Sequence, residues 1–230
     1  MHISALPAAR PRDELPAEQR LKITEIFLSI QGEADSVGWP TVFVRLTGCP
    51  LRCQYCDTAY AFHGGRWMLI DEILAAVAAY STERVLVTGG EPLAQPNCLA
   101  LMTRLCDAGH RVSLETSGAL PIADVDARVV RVVDFKTPGS GECERNLYDN
   151  VPQLRAEDQV KFVICDRADY DWSCRILEQY QLAARCQVLF SPSHEQLKAA
   201  DLAEWILADR LPVRLQVQLH KYLWGNVPGR

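Results

Sequence analysis

The chain has 230 residues, 48% of them hydrophobic and 23% charged, enough apolar material for one sizeable core. Its 24 Lys plus Arg against 29 Asp plus Glu leave a net charge of -5, a field that repels a phosphate backbone and argues against nucleic acid as a direct partner. No apolar run approaches the ~20 residues of a membrane helix, and residues 1–19 lack the apolar stretch of a secretory signal, so the expected setting is cytoplasmic, away from membranes.

Residues 1–20 carry Pro7, Pro11 and Pro16 among Ala, Arg and Glu and read as a flexible arm. Residues 21–230 contain no linker, repeat or low-complexity tract and read as a single domain. Strands are expected at 23–29, 42–46, 84–87, 111–114, 129–135, 159–164, 187–190 and 214–219, most of them rich in Val, Leu, Ile and Phe. Between them, apolar residues recur at the offsets of one helical face: Ile70, Ile73, Leu74, Val77 and Ala78; then Leu99, Met102 and Cys106; then Ala199, Leu202, Ala203 and Ile206. Strands and helices taking turns imply a parallel sheet covered by helices. Six or seven such units are too few for the eight of a closed barrel, so the expectation is an α/β fold with a partial, open parallel β/α barrel. A doubly wound sheet is the alternative.

In such folds ligands bind at the carboxyl ends of the strands. The unusual residues cluster there: 48–58 after the second strand, 88–92 after the third, 115–118 after the fourth, 136–140 after the fifth and 191–194 after the seventh. Nine cysteines are many for a reducing compartment, where clustered thiols more often mean metal or catalysis than disulfides. Three of them fall in Cys49-Pro-Leu-Arg-Cys53-Gln-Tyr-Cys56. Three thiolates are one ligand short of a closed structural site and select zinc or an iron-sulfur cluster. A 4Fe-4S cluster held this way keeps one iron open, whereas zinc would need His63 as a fourth ligand. The other six, Cys98, Cys106, Cys143, Cys165, Cys174 and Cys186, sit singly and read as small hydrophobes.

Cys-x3-Cys-x2-Cys after a strand, with Tyr55 before the last cysteine, resembles the signature of the radical S-adenosylmethionine superfamily. Gly89-Gly90-Glu91-Pro92 after the next main strand resembles that superfamily's element for the methionyl amino group. The resemblance implies a 4Fe-4S cluster on Cys49, Cys53 and Cys56, whose open iron chelates S-adenosyl-L-methionine and generates a 5'-deoxyadenosyl radical. Two further segments, Glu25 to Glu33 with Gly38-Trp-Pro40 and Phe43 to Thr58, and Leu219-His-Lys-Tyr-Leu-Trp224, resemble the 7-carboxy-7-deazaguanine synthase family. With Asp134-Phe-Lys136 and Lys161 between them, that resemblance runs from Lys22 to Trp224. It implies a lyase of queuosine biosynthesis that contracts 6-carboxy-5,6,7,8-tetrahydropterin to 7-carboxy-7-deazaguanine with loss of ammonia. It also implies an electron donor such as a flavodoxin, and a homodimer.

The same resemblance assigns roles, each with a duller competitor. Ile30, Gln31 and Gly32 would contact the pterin edge, although Gln31 could be a solvated loop residue. Arg45 would pair with the substrate carboxylate through its planar fork, or form a structural ion pair. Thr88 would contact substrate, or serve as a strand-forming residue. Thr58 would coordinate Mg2+ together with substrate oxygens and waters, or close a turn after Asp57. Tyr55, Asp57, Gly90, Lys136, Thr137, Pro138 and Ser191 would contact S-adenosylmethionine. The family reads Gln-Gly-Glu-Gly where this chain has Ala34, and some members reach the substrate with the terminal carboxylate, here Arg230. A glycyl-radical activase sharing the cysteine loop, and a zinc-binding interaction module, are the competing functions.

Overall fold

The computed structural model describes residues 11, 12, 15–225, 227 and 229. Among these a single sheet of nine strands has the order β3-β1-β2-β4-β5-β6-β7-β8-β9. The strands are β1 (Arg20–Ile30), β2 (Pro40–Leu46), β3 (Arg66–Leu69), β4 (Arg84–Gly89), β5 (Arg111–Thr116), β6 (Val130–Phe135), β7 (Gln159–Ile164), β8 (Gln187–Pro192) and β9 (Arg214–Leu215). The helices are α1 (Ile70–Ala78), α2 (Cys98–Asp107), α3 (Arg167–Gln179), α4 (Ala199–Asp209) and α5 (Leu219–Trp224). Because β3 and β9 stay unpaired with each other, the barrel is open, as expected.

Two-residue alternation organises the sheet. In β7, Val160, Phe162 and Ile164 join the large core under the helices, whereas Lys161 and Val163 face a cavity on the other side. In β6, Val133 and Phe135 enter the core while Val132 and Asp134 line the cavity. Burying each such Val or Phe is worth roughly 1.5 to 3 kcal/mol, which pins the register: a one-residue slip would drive Lys161 and Asp134 into the core. α1 contributes Ile70, Ile73 and Val77 to that core, and α4 contributes Leu202 and Ile206.

Several expectations are corrected. β1 is antiparallel to both β2 and β3, because the loop 31–39 is too short for a crossover and closes a hairpin. β3 was not anticipated. The buried face of α2 is Cys98, Leu101, Met102 and Leu105, one step round from Leu99 and Cys106, which are only partly buried. α3 was also unforeseen: its buried stripe of Asp169, Tyr170, Ser173, Ile176 and Leu177 includes two polar residues that break the apolar periodicity. No α-helix connects β5 to β6, and three 3-10 turns replace one between β6 and β7. The last strand stops at Leu215, after which the chain leaves the sheet and Leu219 N–H bonds the Gly32 carbonyl at 3.1 Å.

Part of the expected arm is bonded to the domain. Leu15 is buried, Arg20 Nη1 donates to the carbonyls of Arg12 (2.6 Å) and Leu15 (2.7 Å), and Asn97 Nδ2 donates to the Ala17 carbonyl at 2.7 Å. Residues 1–10, 13 and 14 lie outside the described residues, as does Arg230. No helix among the described residues is long and apolar enough to cross a membrane.

Candidate active site

The cysteine loop leaves the carboxyl end of β2 and is held by backbone bonds from all sides. Gly48 N–H donates to the Ala61 carbonyl (2.8 Å), Gln54 N–H to the Ser140 carbonyl (3.0 Å) and Arg52 N–H to Glu142 Oε1 (2.5 Å). Glu91 N–H donates to the Gly48 carbonyl at 2.8 Å. The Glu91 carboxylate is fully buried and accepts from Leu93 N–H (3.0 Å), Thr116 Oγ1 (2.9 Å) and Ser117 N–H (2.6 Å), which staples the 89–92 turn to β5. Gly90 lines the cavity, but the atoms that forbid it a side chain are those of Gly48 and Cys49, whose backbone and Cβ a Cβ here would overlap.

The cavity, of about 700 Å³, opens at the carboxyl ends of β2 to β7 and receives all three thiols. Its floor is an ion-pair network. Lys161 Nζ lies 2.7 Å from Glu33 Oε2 and 3.3 Å from Asp134 Oδ2, and Lys136 Nζ lies 3.1 Å from the same Asp134 oxygen. Lys221 Nζ on α5 reaches Asp57 Oδ2 at 2.9 Å, tying the chain's last helix to the cysteine loop. Burial opposes each charge, yet the partners prevail. Glu33 is held below the usual carboxylate range by Lys161, Asp57 by Lys221, and Lys161 is raised well above its ordinary value by Glu33 and Asp134. Glu115 goes the other way: burial raises it and the Glu33 charge adds to this, while Thr88 Oγ1 donates to its Oε2 at 3.2 Å. Burial likewise raises Cys49 and Cys56 and pushes Cys53 to about 11.

The donor set suits an iron-sulfur cluster better than a single ion. The three thiols line one cavity, but among the described residues no group of three His, Cys, Asp or Glu side chains is gathered tightly enough to hold one metal ion. A cluster takes each thiolate on a different iron and needs no such convergence. His63 is absent from the cavity wall, so the four-ligand zinc site is corrected. Two buried atoms beside the thiols, Tyr55 Oη and Asp134 Oδ1, have no hydrogen-bond partner among the described residues, which leaves polar capacity for a bound molecule.

Of the residues singled out from sequence, Cys49, Cys53, Cys56, Tyr55, Asp57, Thr58, Gly90, Lys136, Ile30, Gln31, Arg45 and Thr88 line this cavity. Gln31 is buried, with its Oε1 accepting from Gly32 N–H at 2.8 Å and its Nε2 3.5 Å from Glu115 Oε1, so it is no solvated loop residue. Arg45 Nε is paired with Glu25 Oε1 at 2.7 Å, and Glu25 also accepts from Tyr60 Oη at 2.8 Å. Thr58 Oγ1 donates to Asp57 Oδ1 at 2.9 Å.

Four expected contacts are not on the wall. Gly32 packs on α5, where a Cβ would stand 3.0 Å from His220 N. Thr137 is fully buried, its Oγ1 between the Val163 carbonyl (2.9 Å) and Asp169 Oδ2 (3.0 Å). Pro138 is itself exposed at the start of a turn that buries Ser140, and Ser191 is buried in β8. Ala34 takes the left-handed φ of 64°, a geometry that favours glycine; Gln216 Oε1 on its N–H at 2.7 Å and Arg214 Nη2 on its carbonyl hold it there. Sequence reading placed Glu115 and residues 193 and 194 in strand-end segments without giving them a role, and passed over Gln218, whose Nε2 donates to Glu33 Oε1 at 2.9 Å. Glu115 carried a signal, being a carboxylate at a strand's carboxyl end; Gln218 carried none.

Comparison with known proteins bears on the family and the fold. The family model described as the radical SAM superfamily matches residues 43–132. The 7-carboxy-7-deazaguanine synthase of Chlorobaculum tepidum is 46% identical over 92% of this chain and 97% of its own length. That of Koribacter versatilis is 43% identical over 89% and 97%. Among solved structures, QueE from Escherichia coli superposes with a TM-score of 0.72 at 22% identity, covering 87% of this chain and 95% of the other, a likeness of fold.

Proposed function

The chain belongs to the 7-carboxy-7-deazaguanine synthase family, and from that premise we propose that it contracts 6-carboxy-5,6,7,8-tetrahydropterin to 7-carboxy-7-deazaguanine with release of ammonia, in queuosine biosynthesis. The observation that carries the proposal is one cavity receiving three thiols, the Arg45 guanidinium and the Gln31, Thr88 and Glu115 polar edge together. Cys49, Cys53 and Cys56 would hold the 4Fe-4S cluster of the superfamily. When bound, the cluster and S-adenosylmethionine supply hydrogen abstraction.

Everything else falls to this chain's side chains. Arg45 offers its terminal amino groups to the substrate carboxylate while Glu25 fixes Nε and hence the plane of the fork. Gln31 and Thr88 present amide and hydroxyl to the pterin edge, both steered by Glu115. Tyr55, Asp57 and Lys136 would face S-adenosylmethionine, and Thr58 would supply a hydroxyl oxygen to Mg2+, a hard ligand for a hard cation. Two buried carboxylates are pushed in opposite directions, Glu33 held below the usual carboxylate range by Lys161 and Glu115 raised by burial and by the Glu33 charge, so Glu115 is the better placed of the two to exchange a proton with a departing amine. Thr137, Pro138, Ser191 and Gly32 act from behind the wall, by shaping it.

The reading extends to context. One continuous sheet and core support a single domain over 21–230. Nine free thiols suit a reducing cytoplasm. Reduction of the cluster calls for an electron donor such as a flavodoxin, and the exposed apolar Trp39, Leu207 and Tyr222 are available for a homodimer. The test is anaerobic turnover: cluster-loaded, reduced protein supplied with S-adenosylmethionine and 6-carboxytetrahydropterin releases ammonia and the deazaguanine. A fully loaded protein that forms neither overturns the reading.

A further inference from the structure

Both backbone amides flanking Cys53 are bonded to one distant segment. Arg52 N–H donates to Glu142 Oε1 at 2.5 Å and Gln54 N–H to the Ser140 carbonyl at 3.0 Å. That segment is internally closed, with Ser140 Oγ donating to the Thr137 carbonyl at 2.6 Å and Glu142 N–H donating to Ser140 Oγ at 3.0 Å. Its anchor is Asp169, buried on α3, outside the cavity wall. Asp169 Oδ1 accepts from Gly139 N–H at 2.8 Å, and Oδ2 from Cys165 N–H at 3.0 Å with Thr137 Oγ1 also at 3.0 Å. The approach is close: a Cβ on Gly139 would stand 3.1 Å from Asp169 Cγ. At the start of the segment, Asn146 clamps Lys136, accepting its N–H and donating to its carbonyl, each at 2.8 Å.

We propose that Asp169 is a positioning residue for the cysteine loop: through the 137–142 segment it fixes the backbone on both sides of Cys53. A buried carboxylate taking two backbone amides and a hydroxyl is a rigid anchor, and a loop ordered in advance loses little freedom when its ligand arrives. The geometry needs no cofactor. Its consequence for cluster retention rests on the assignment of Cys53 to the cluster.

The test uses the full chain as Asp169→Ala, as Asp169→Asn, which keeps one oxygen for Gly139 N–H, and as Ile176→Ala, a core change on the same helix that leaves the anchor intact. Amide exchange at Gln54 is followed in metal-free protein, and iron release to a chelator in cluster-loaded protein. We expect exchange at Gln54 about tenfold faster or more in Asp169→Ala, an intermediate rate in Asp169→Asn and the parent rate in Ile176→Ala, with iron release in the same order. Parent-like exchange in both Asp169 variants, or equal acceleration in Ile176→Ala, overturns the proposal. Faster exchange with unchanged iron release upholds the positioning role and overturns the cluster assignment of Cys53.

Discussion

Gly90→Ala tests the packing of the two loops that form the rim of the cavity. The φ of Gly90 is not left-handed, so alanine has no intrinsic backbone conflict there and any effect is steric. The new Cβ would stand 2.6 Å from the Gly48 carbonyl carbon and 3.0 Å from Cys49 Cβ. Carbon atoms need about 3.5 Å or more, and backbone atoms cannot swing aside, so the loops must part by about 1 Å. That stretches the Glu91 N–H bond to the Gly48 carbonyl, now 2.8 Å, beyond hydrogen-bond range. An unmade buried bond costs about 1 to 3 kcal/mol and overpacking strain a similar amount, together about 2 to 6 kcal/mol. For a chain of this size that corresponds to a fall of about 4 to 24 °C in Tm. Cys49 moves with Gly48, so iron per chain after anaerobic reconstitution should fall as well. Thermal unfolding of the metal-free protein and iron analysis read the two effects separately. A variant melting within about 1 °C of the parent and loading its full iron would refute the reasoning.

Replacing any one of Cys49, Cys53 or Cys56 with Ala should abolish the roughly four irons per chain, whereas Cys143→Ala should leave them, by iron and sulfide analysis. Arg45→Lys should weaken binding of the carboxylated pterin by about 2 kcal/mol in a titration, since an ammonium cannot make the bidentate contact and also leaves Glu25 poorly paired. Thr58→Val should keep cluster and S-adenosylmethionine binding but lose the stimulation of turnover by Mg2+; equal substrate affinity with and without Mg2+ in the parent would confine Thr58 to its turn with Asp57. Asp158, buried in a pair with Arg131 and bonded to Arg155, is held below the usual carboxylate range although burial alone would raise it. Its stabilisation is therefore present above its ordinary value near 3.8 and fades as pH falls through the lowered one. Asp158→Asn should cost about 3 to 5 kcal/mol at pH 7 in denaturant unfolding, and the gap to the parent should narrow below about pH 4.

Much of the site was legible in the chain before folding. Cys49, Cys53 and Cys56 lie within one loop, and the Gly89-Gly90 turn follows the neighbouring strand, so covalent spacing alone carries their chemistry. The helical faces of α1 and α4 were legible for a similar reason, since 3.6-residue periodicity is a local property. Where polar residues do buried work, periodicity fails. Asp169 and Ser173 interrupt the stripe of α3, and Lys161 and Asp134 face the cavity from strands whose alternate residues enter the core. The antiparallel β1 was lost because a strand's sequence does not record the direction of its neighbour.

What the sequence determined by itself is therefore the chemical capacity: three thiols spaced for a cluster, a glycine turn to pack on them, and a guanidinium at a strand end. Only the tertiary structure decided how that capacity is tuned. Glu33 meets Lys161 across 128 positions of chain, Gln54 meets Ser140, and Gln218 meets Glu33 and Asp57 from the far end. Such pairs depend on sheet order and on the path of loops after the strands, which no local pattern encodes. The strength of each charge then depends on burial that exists only once the sheet has curved round the cavity.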